Sequence, residues 1–278
     1  MFDSVKRLSN LDKRDVTFSR IAAALWRRLV SIPGKIYFYW PWGFPSQNRK
    51  KLRELNNKYL GRRCFVIANG PSLNKIDFNL LKDEITFGMN RVYLMKEQNG
   101  FMPTFIACID KERLIKPFHD DLDNLDIPCF FPFLYRKYFS KKSNQFFTAG
   151  SFSPSFQTDV TKPLGNGKTV TYNVIQLAFC MGFQEVYIIG KDHSFNTTAQ
   201  VGKGIEIKDK DENHFIKNYL LPGQKYDAPD LKSEEYAYKL SRETFEKAGR
   251  VIQNATVGGK LEVFDRVDFY SLLKKDSE

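Results

Sequence analysis

The chain has 278 residues, room for one large α/β domain with appendages or for two small domains. Its hydrophobic content of 42%, with 15% aromatic residues, is ample for a real core. The net charge of +11 is carried by residues 1–63, which hold 15 Lys and Arg against 4 Asp and Glu, while residues 64–278 balance 28 against 28. A neutral body behind a basic leader argues against a nucleic-acid enzyme, whose basic residues spread over a working face, and for a device that attaches to anionic lipid. Four cysteines, Cys64, Cys108, Cys129 and Cys180, form no Cys-x-x-Cys pair. Cys64, Cys108 and Cys180 lie in apolar runs and read as buried free thiols of a reducing cytosol. Three histidines, His119, His193 and His214, are too dispersed for a zinc site.

Residues 1–61 are read as a basic, aromatic extension. Phe18, Ile21, Ala22, Leu25, Leu29 and Ile32 recur at helical spacing and predict a helix over 17–32 that Pro33-Gly34 ends. The aromatic stretch Ile36–Pro45 follows, and Gln47–Arg63 reads as a basic helix leading into the domain. No apolar run reaches the roughly 20 residues of a membrane span, and the arginines exclude a secretory signal. Two readings stay open. The arm packs on the domain or a partner subunit, or it is a monotopic anchor with Trp26, Trp40 and Trp42 at the bilayer interface.

Residues 62–278 alternate short apolar runs with helical stretches, the pattern of an α/β doubly wound, mostly parallel sheet flanked by helices. Strands are expected at Cys64–Ala68, Ile85–Asn90, Phe105–Asp110 and Pro128–Phe133, less distinctly over Phe146–Phe156, and again at Glu185–Ile189 and Lys260–Phe264. Helices are expected at Thr169–Met181, with Gly182 as its cap, and at Ser233–Gln253, with Glu234 and Glu235 complementing the dipole of its first turn. The polar stretch from about 193 to 231 is too long for an ordinary connection and reads as a lid.

The turn Asn69-Gly70-Pro71-Ser72 follows the first strand and opens a helix or turn. Such a junction presents backbone N–H groups at the carboxyl end of a strand, where phosphates bind. It is neither a Gly-x-Gly-x-x-Gly nor a Walker loop. Asn90 and Asp110 end the second and third strands, and Asp192 lies just past Glu185–Ile189. One asparagine at a strand end is ordinarily a turn former, but four polar residues along one crevice can read base, ribose and phosphate. In the lid, His214 is a candidate general base and His193, beside Asp192, its rival. Asp209-Lys210-Asp211 spells Asp-x-Asp but sits in a charged loop, where it reads as solvated. No metal ion or cofactor is expected.

These residues resemble a family. Ile67–Asp77, with its Asn-Gly-Pro-Ser-Leu core, resembles the nucleotide-binding turn of bacterial sialyltransferases of the Campylobacter type. Met89-Asn90-Arg91-Val92-Tyr93 is similar to their second-strand element, and Gly182–Asp192 to their Gly-Tyr-Lys-Glu-Ile-Tyr-Leu-Ser-Gly-Ile-Asp. Asn213-His214-Phe215 falls where they carry Ser-His-Tyr. The wider group is the DUF115 family, which also includes motility accessory factors and archaeal 6-hydroxymethylpterin diphosphokinases.

The resemblance implies a metal-independent, GT-A-like Rossmann variant that binds a CMP-activated sugar. By it, Asn69, Gly70, Pro71, Ser72 and Asn90 hold phosphate and cytidine, joined by Asp110, Asp192 and a helix start at Thr169, Thr171 and Asn173. His214 deprotonates the acceptor hydroxyl. Lys168 replaces the family's arginine, and His193, Ser194 and Phe195 stand where its leaving-group tyrosines are found. The implied function is transfer of a sialic-acid- or Kdo-like sugar to a cell-surface glycan or lipid-linked acceptor. The protein would be cytoplasmic and peripheral on the inner face of the membrane, with homo-oligomerisation open. A magnesium- and ATP-dependent diphosphokinase, with Asp110 and Asp192 as metal carboxylates, and a non-catalytic nucleotide-binding scaffold are the alternatives.

Overall fold

The computed structural model describes residues 18–194, 204–206, 213–216, 219–220, 223–227 and 229–274. It divides into two units, Met1–Ser46 and Gln47–Glu278, a division ahead of the 61/62 boundary expected from the sequence.

The first unit contains helix α1 (Phe18–Phe38) and the start of helix α2 (Gly43–Arg53). The expected stop at Pro33 does not occur, and α1 runs on through it for another turn and more. A proline inside a helix removes one i→i−4 hydrogen bond and crowds the carbonyl four residues back, a local defect that this 21-residue helix absorbs.

The second unit is an α/β, Rossmann-like fold. Seven parallel strands lie in the order β5-β4-β3-β2-β1-β6-β9. They are β1 (Arg63–Ile67), β2 (Thr86–Met89), β3 (Phe105–Ala107), β4 (Cys129–Pro132), β5 (Gln145–Thr148), β6 (Glu185–Ile189) and β9 (Val251–Asn254). A separate antiparallel hairpin, β7 (Gly204–Glu206) with β8 (Lys225–Asp227), lies within the stretch expected to be a lid. Short helices α3 (Met95–Asn99) and α4 (His119–Asp123) join strands on one half of the sheet. The long helix α5 (Val170–Cys180) packs on β1 and β2, and α6 (Leu231–Lys247) packs on α5 and β9. Helix α7 (Phe269–Lys274) closes the described chain.

Both faces of the central strands are covered, which is why Cys64–Ile67 and Val186–Ile189 are continuous apolar runs without alternation. The many phenylalanines have a structural use. Phe87, Phe105, Phe130 and Phe146 stand on neighbouring strands β2 to β5 and form a ladder with ring centroids 4.7, 6.1 and 5.2 Å apart. The outer edge of β5 is covered by α2. The Asn48 amide donates to the Phe147 carbonyl at 2.7 Å and accepts from the Phe147 amide at 3.0 Å, and the Lys51 ammonium donates to the Gln145 carbonyl at 2.7 Å.

The basic helix expected over 47–63 ends at Arg53, and two expected elements near the C-terminus also differ. The helix predicted to reach Gln253 ends at Lys247, and the final strand is Val251–Asn254, not Lys260–Phe264. Gly249, at φ +64°, turns the chain out of the helix. Val251 and Ile252 then pair with Glu185 and Val186 of β6. Residues 260–264 instead form a return loop pinned by the Asn254 amide, which donates to the Leu261 carbonyl at 2.8 Å.

Candidate nucleotide-binding crevice

From β1 the chain works outward through β2, β3, β4 and β5, then crosses back to lay β6 on the other side of β1. The strand order therefore reverses between β1 and β6, and in open α/β sheets the carboxyl ends of the strands around such a point are where ligands bind. The loops leaving the two strands stay zipped together. The Ala68 amide donates to the Ile189 carbonyl at 2.9 Å, and the Gly70 amide to the Gly190 carbonyl at 2.8 Å.

Gly70 is required by close approach. A β-carbon there would lie 1.8 Å from Asp192 Oδ2 and 2.6 Å from the Gly190 carbonyl oxygen. Pro71 then opens a 3-10 turn, Pro71–Lys75, with Gly70 as its N-cap. The buried Ser72 hydroxyl donates to Asp192 Oδ2 at 2.8 Å, and the Ser72 amide approaches the same oxygen at 3.3 Å. The amide expected to meet a phosphate is thus turned to a carboxylate of the protein itself, and Asp192 locks the β1 loop to the β6 loop.

Asn69 and Asn90 are left with unused capacity. The Oδ1 atoms of both are buried and accept no hydrogen bond. Asn90 sits at φ +57°, a conformation asparagine tolerates better than most residues. Its amide N–H continues the ladder by donating to the Ala107 carbonyl at 2.8 Å, and its side chain lies within hydrogen-bonding reach of the buried Tyr219 hydroxyl. Lys168 at φ +63° and His193 at φ +52° share the left-handed conformation at this end of the sheet.

Asp110 follows β3 but is turned to its own chain. It caps the π-helical turn Lys111–Ile115 by accepting from the Arg113 amide at 3.1 Å, and it pairs with the Arg113 guanidinium at 2.5 Å. Thr169 caps α5 by accepting from the Thr171 amide at 3.3 Å. The buried Thr171 hydroxyl donates to Met89 Sδ at 3.5 Å, which puts the start of α5 at the end of β2. Asn173 is half-buried in the first turn of α5, and Lys168 is exposed ahead of it.

His214 joins this group although it is far along the chain. The Phe215 amide donates to the Asn69 carbonyl at 3.0 Å, and the Asn74 side chain donates to the Phe215 carbonyl at 2.9 Å. The His214 ring stacks on Tyr219 with centroids 4.0 Å apart and planes 10° from parallel. Asp209-Lys210-Asp211 and Phe195 lie outside the described residues.

His193 goes elsewhere. Its ring is buried, with Nε2 3.1 Å from Glu235 and Nδ1 without a hydrogen bond. Exposed Ser194 follows it. Beside it the buried Lys191 ammonium binds the buried Glu234 carboxylate at 2.8 Å, below Tyr238. Burial works against the Lys191 charge, but Tyr238 and Glu234 outweigh it and hold its pKa above the ordinary lysine value. Burial likewise pushes the Tyr238 phenol up to about 12, with Lys191 opposing. Tyr238 is also within hydrogen-bonding reach of Thr169 and Thr171, so this cluster buttresses the start of α5.

Lys191, Glu234, Tyr238 and Tyr219 are the residues that sequence reasoning passed over. Glu234 reads from the sequence as a first-turn acid that complements the helix dipole. Only an aromatic residue four positions on, Tyr238, marks that face of the helix as inward. Among the described residues, no group of three or more His, Cys, Asp or Glu side chains is gathered as a metal site.

Comparison with solved structures finds likenesses of fold, three of which follow. The chain is similar to the MAf glycosyltransferase from Magnetospirillum magneticum AMB-1 at 14% identity, covering 83% of this chain and 40% of that one, with a TM-score of 0.48. The chain thus spans 40% of that protein's length. It is also similar to the sialyltransferase CST-II in complex with a trisaccharide acceptor and CMP, at 13% identity, 74% and 86% coverage and a TM-score of 0.35. The sialyltransferase CstII from Campylobacter jejuni, in complex with a substrate analogue and cytidine-5'-monophosphate, gives 12% identity, 74% and 88% coverage and a TM-score of 0.28. No curated protein matches the chain. A family model does match, over residues 45–198 and so more than half of the chain, and the protein therefore belongs to the 6-hydroxymethylpterin diphosphokinase MptE-like family.

Proposed function

We propose that this protein is a glycosyltransferase that moves a sugar from a nucleotide-activated donor, with CMP as the favoured nucleotide, to a glycan or lipid-linked acceptor without a metal ion. The observation that carries the reading is the pair of buried, unpartnered carboxamide oxygens, Asn69 Oδ1 and Asn90 Oδ1, at the ends of adjacent strands. A buried acceptor without a donor costs free energy, and ribose hydroxyls or a base amino group would supply the donor. The choice of CMP rests on the resemblance of the Asn69–Leu73 turn to that of sialyltransferases.

In this reading Thr169, Thr171 and Asn173 at the start of α5 complete the donor site, with Lys168 beside the leaving phosphate. His214, tied to the crevice through Phe215, takes the proton from the acceptor hydroxyl. That oxygen forms a bond to the anomeric carbon as the bond from carbon to phosphate oxygen breaks. The electron pair leaves with the nucleotide, and the sugar is inverted. His193 is the weaker candidate for the base, because Glu235 holds its Nε2. Asp192 serves by holding the β1 loop through Ser72. The protein would work on the cytoplasmic face of the membrane.

Family membership favours a second reading, diphosphate transfer from ATP with magnesium. The strand-end carboxylates that would bind the metal, Asp110 and Asp192, are already paired with Arg113 and Ser72, which supports the first reading over it. A thermal-shift screen with CMP, CDP, UDP, GDP and ATP, each with and without magnesium, separates the two, because a ligand stabilises according to its concentration over Kd. Stabilisation by CMP or CDP in the absence of magnesium is expected. A shift with ATP and magnesium alone would replace the first reading by the second.

A further inference from the structure

Helix α1 leaves its apolar side exposed. Ile21, Leu25, Leu29, Ile32 and Ile36 fall on one stripe of the helix, with Trp26 beside them. All are exposed, Leu29 at 59% and Trp26 at 68%. The described residues of α1 that are buried, Ser31 and Phe38, lie off the stripe, and exposed Arg28 and half-buried Lys35 stand between them and it. A helix that only covered a protein core would bury the stripe. The exposed apolar character continues past the helix, where the Trp40 and Trp42 rings meet edge to face at 5.7 Å and are 47% and 69% exposed.

The charge around this stripe selects its partner. From Val16 to Arg53 the sequence holds eight Lys and Arg and no acidic residue. A second copy of the chain would bring the same positive charges to the contact and be repelled. An anionic bilayer answers both features, with apolar side chains entering the acyl boundary and cations meeting headgroup phosphates. No helix among the described residues is long and apolar enough to cross a membrane, so the fit is to a helix lying in the interface. We propose that α1 and the Trp40–Trp42 segment form an in-plane docking surface for an anionic lipid bilayer. This inference does not depend on the reaction proposed above.

The test uses the full chain and its own fluorescence. All three tryptophans of the sequence, Trp26, Trp40 and Trp42, lie in this segment, so tryptophan emission reports on it alone. The protein is mixed with vesicles of phosphatidylcholine, and with vesicles in which about one third is phosphatidylglycerol. A blue shift and co-sedimentation with the anionic vesicles, weak or absent with the neutral ones, are expected. Leu25→Asp with Leu29→Asp should abolish both. Arg28→Glu with Lys35→Glu should weaken binding by roughly 25-fold or more, since each basic residue near an anionic surface is worth roughly fivefold. Both variants should keep the wild-type melting temperature. Two results overturn the proposal. One is wild-type emission unchanged by anionic vesicles. The other is a concentration-dependent dimer in sedimentation equilibrium that the Leu25/Leu29 variant disperses, which would make the partner a second copy.

Discussion

The Phe215 amide donates to the Asn69 carbonyl at 3.0 Å, and this one bond spans 146 residues of sequence to bring His214 to the end of the first strand. The Asn74 side chain secures the same segment from the other side at 2.9 Å. A histidine far along the chain is thereby held one residue from a backbone bond to Asn69, the residue whose side-chain oxygen is left without a donor.

If His214 is the base, its loss should act on chemistry and not on the donor site. His214→Ala is expected to lower sugar transfer by about 10²- to 10⁴-fold, with nucleotide affinity within about twofold of wild type. Initial rates of CMP release beside a nucleotide titration would separate the two effects. Near-normal transfer in the variant would remove His214 from the mechanism.

Gly70 allows the β1 and β6 loops to touch. Gly70→Ala places a methyl group 1.8 Å from Asp192 Oδ2, so the carboxylate must leave Ser72 or the loops must part. The expected cost is about 1–3 kcal/mol in urea unfolding, together with loss of nucleotide stabilisation. Ser72→Ala, which removes the 2.8 Å bond but adds no bulk, should cost less, about 1 kcal/mol.

The Lys191–Glu234 pair sets a pH signature. Because the folded pKa of Lys191 is raised above the unfolded value of 10.5, its contribution is fully present below that value and fades as pH rises through the folded pKa. Lys191→Met leaves Glu234 buried without its partner and should destabilise the protein by about 3–5 kcal/mol at neutral pH. Adding Glu234→Met should restore stability at neutral pH. Urea titrations at several pH values would read this. An equal loss in the single and double variants would mean that the pair contributes packing alone.

Much of the sheet is legible because its strands are buried on both faces. Runs such as Cys64–Ile67 and Glu185–Ile189 have no other stable reading, and their polar ends mark where the crevice begins. The C-terminal end of α6 is harder. Val251 and Ile252 continue the helical spacing of the residues before them, and only the left-handed turn at Gly249 breaks it. The site divides in the same way. Asn69 and Asn90 stand out locally, because each interrupts an apolar run. Glu234 and Tyr238 do not, since their roles come from a strand end more than 40 residues away and no local pattern records that approach.

The nucleotide site proposed above lies at the carboxyl ends of β1 and β2, needs no metal ion and is built on Asn69 and Asn90. Calorimetric titration with CMP in the presence of EDTA tests it most directly, on the wild type and on Asn69→Ala. The predicted result is saturable binding by the wild type and about tenfold weaker binding by the variant, whose stability is unchanged because an unpartnered buried oxygen has been removed. Absence of heat with CMP, together with binding of ATP only when magnesium is supplied, would contradict it.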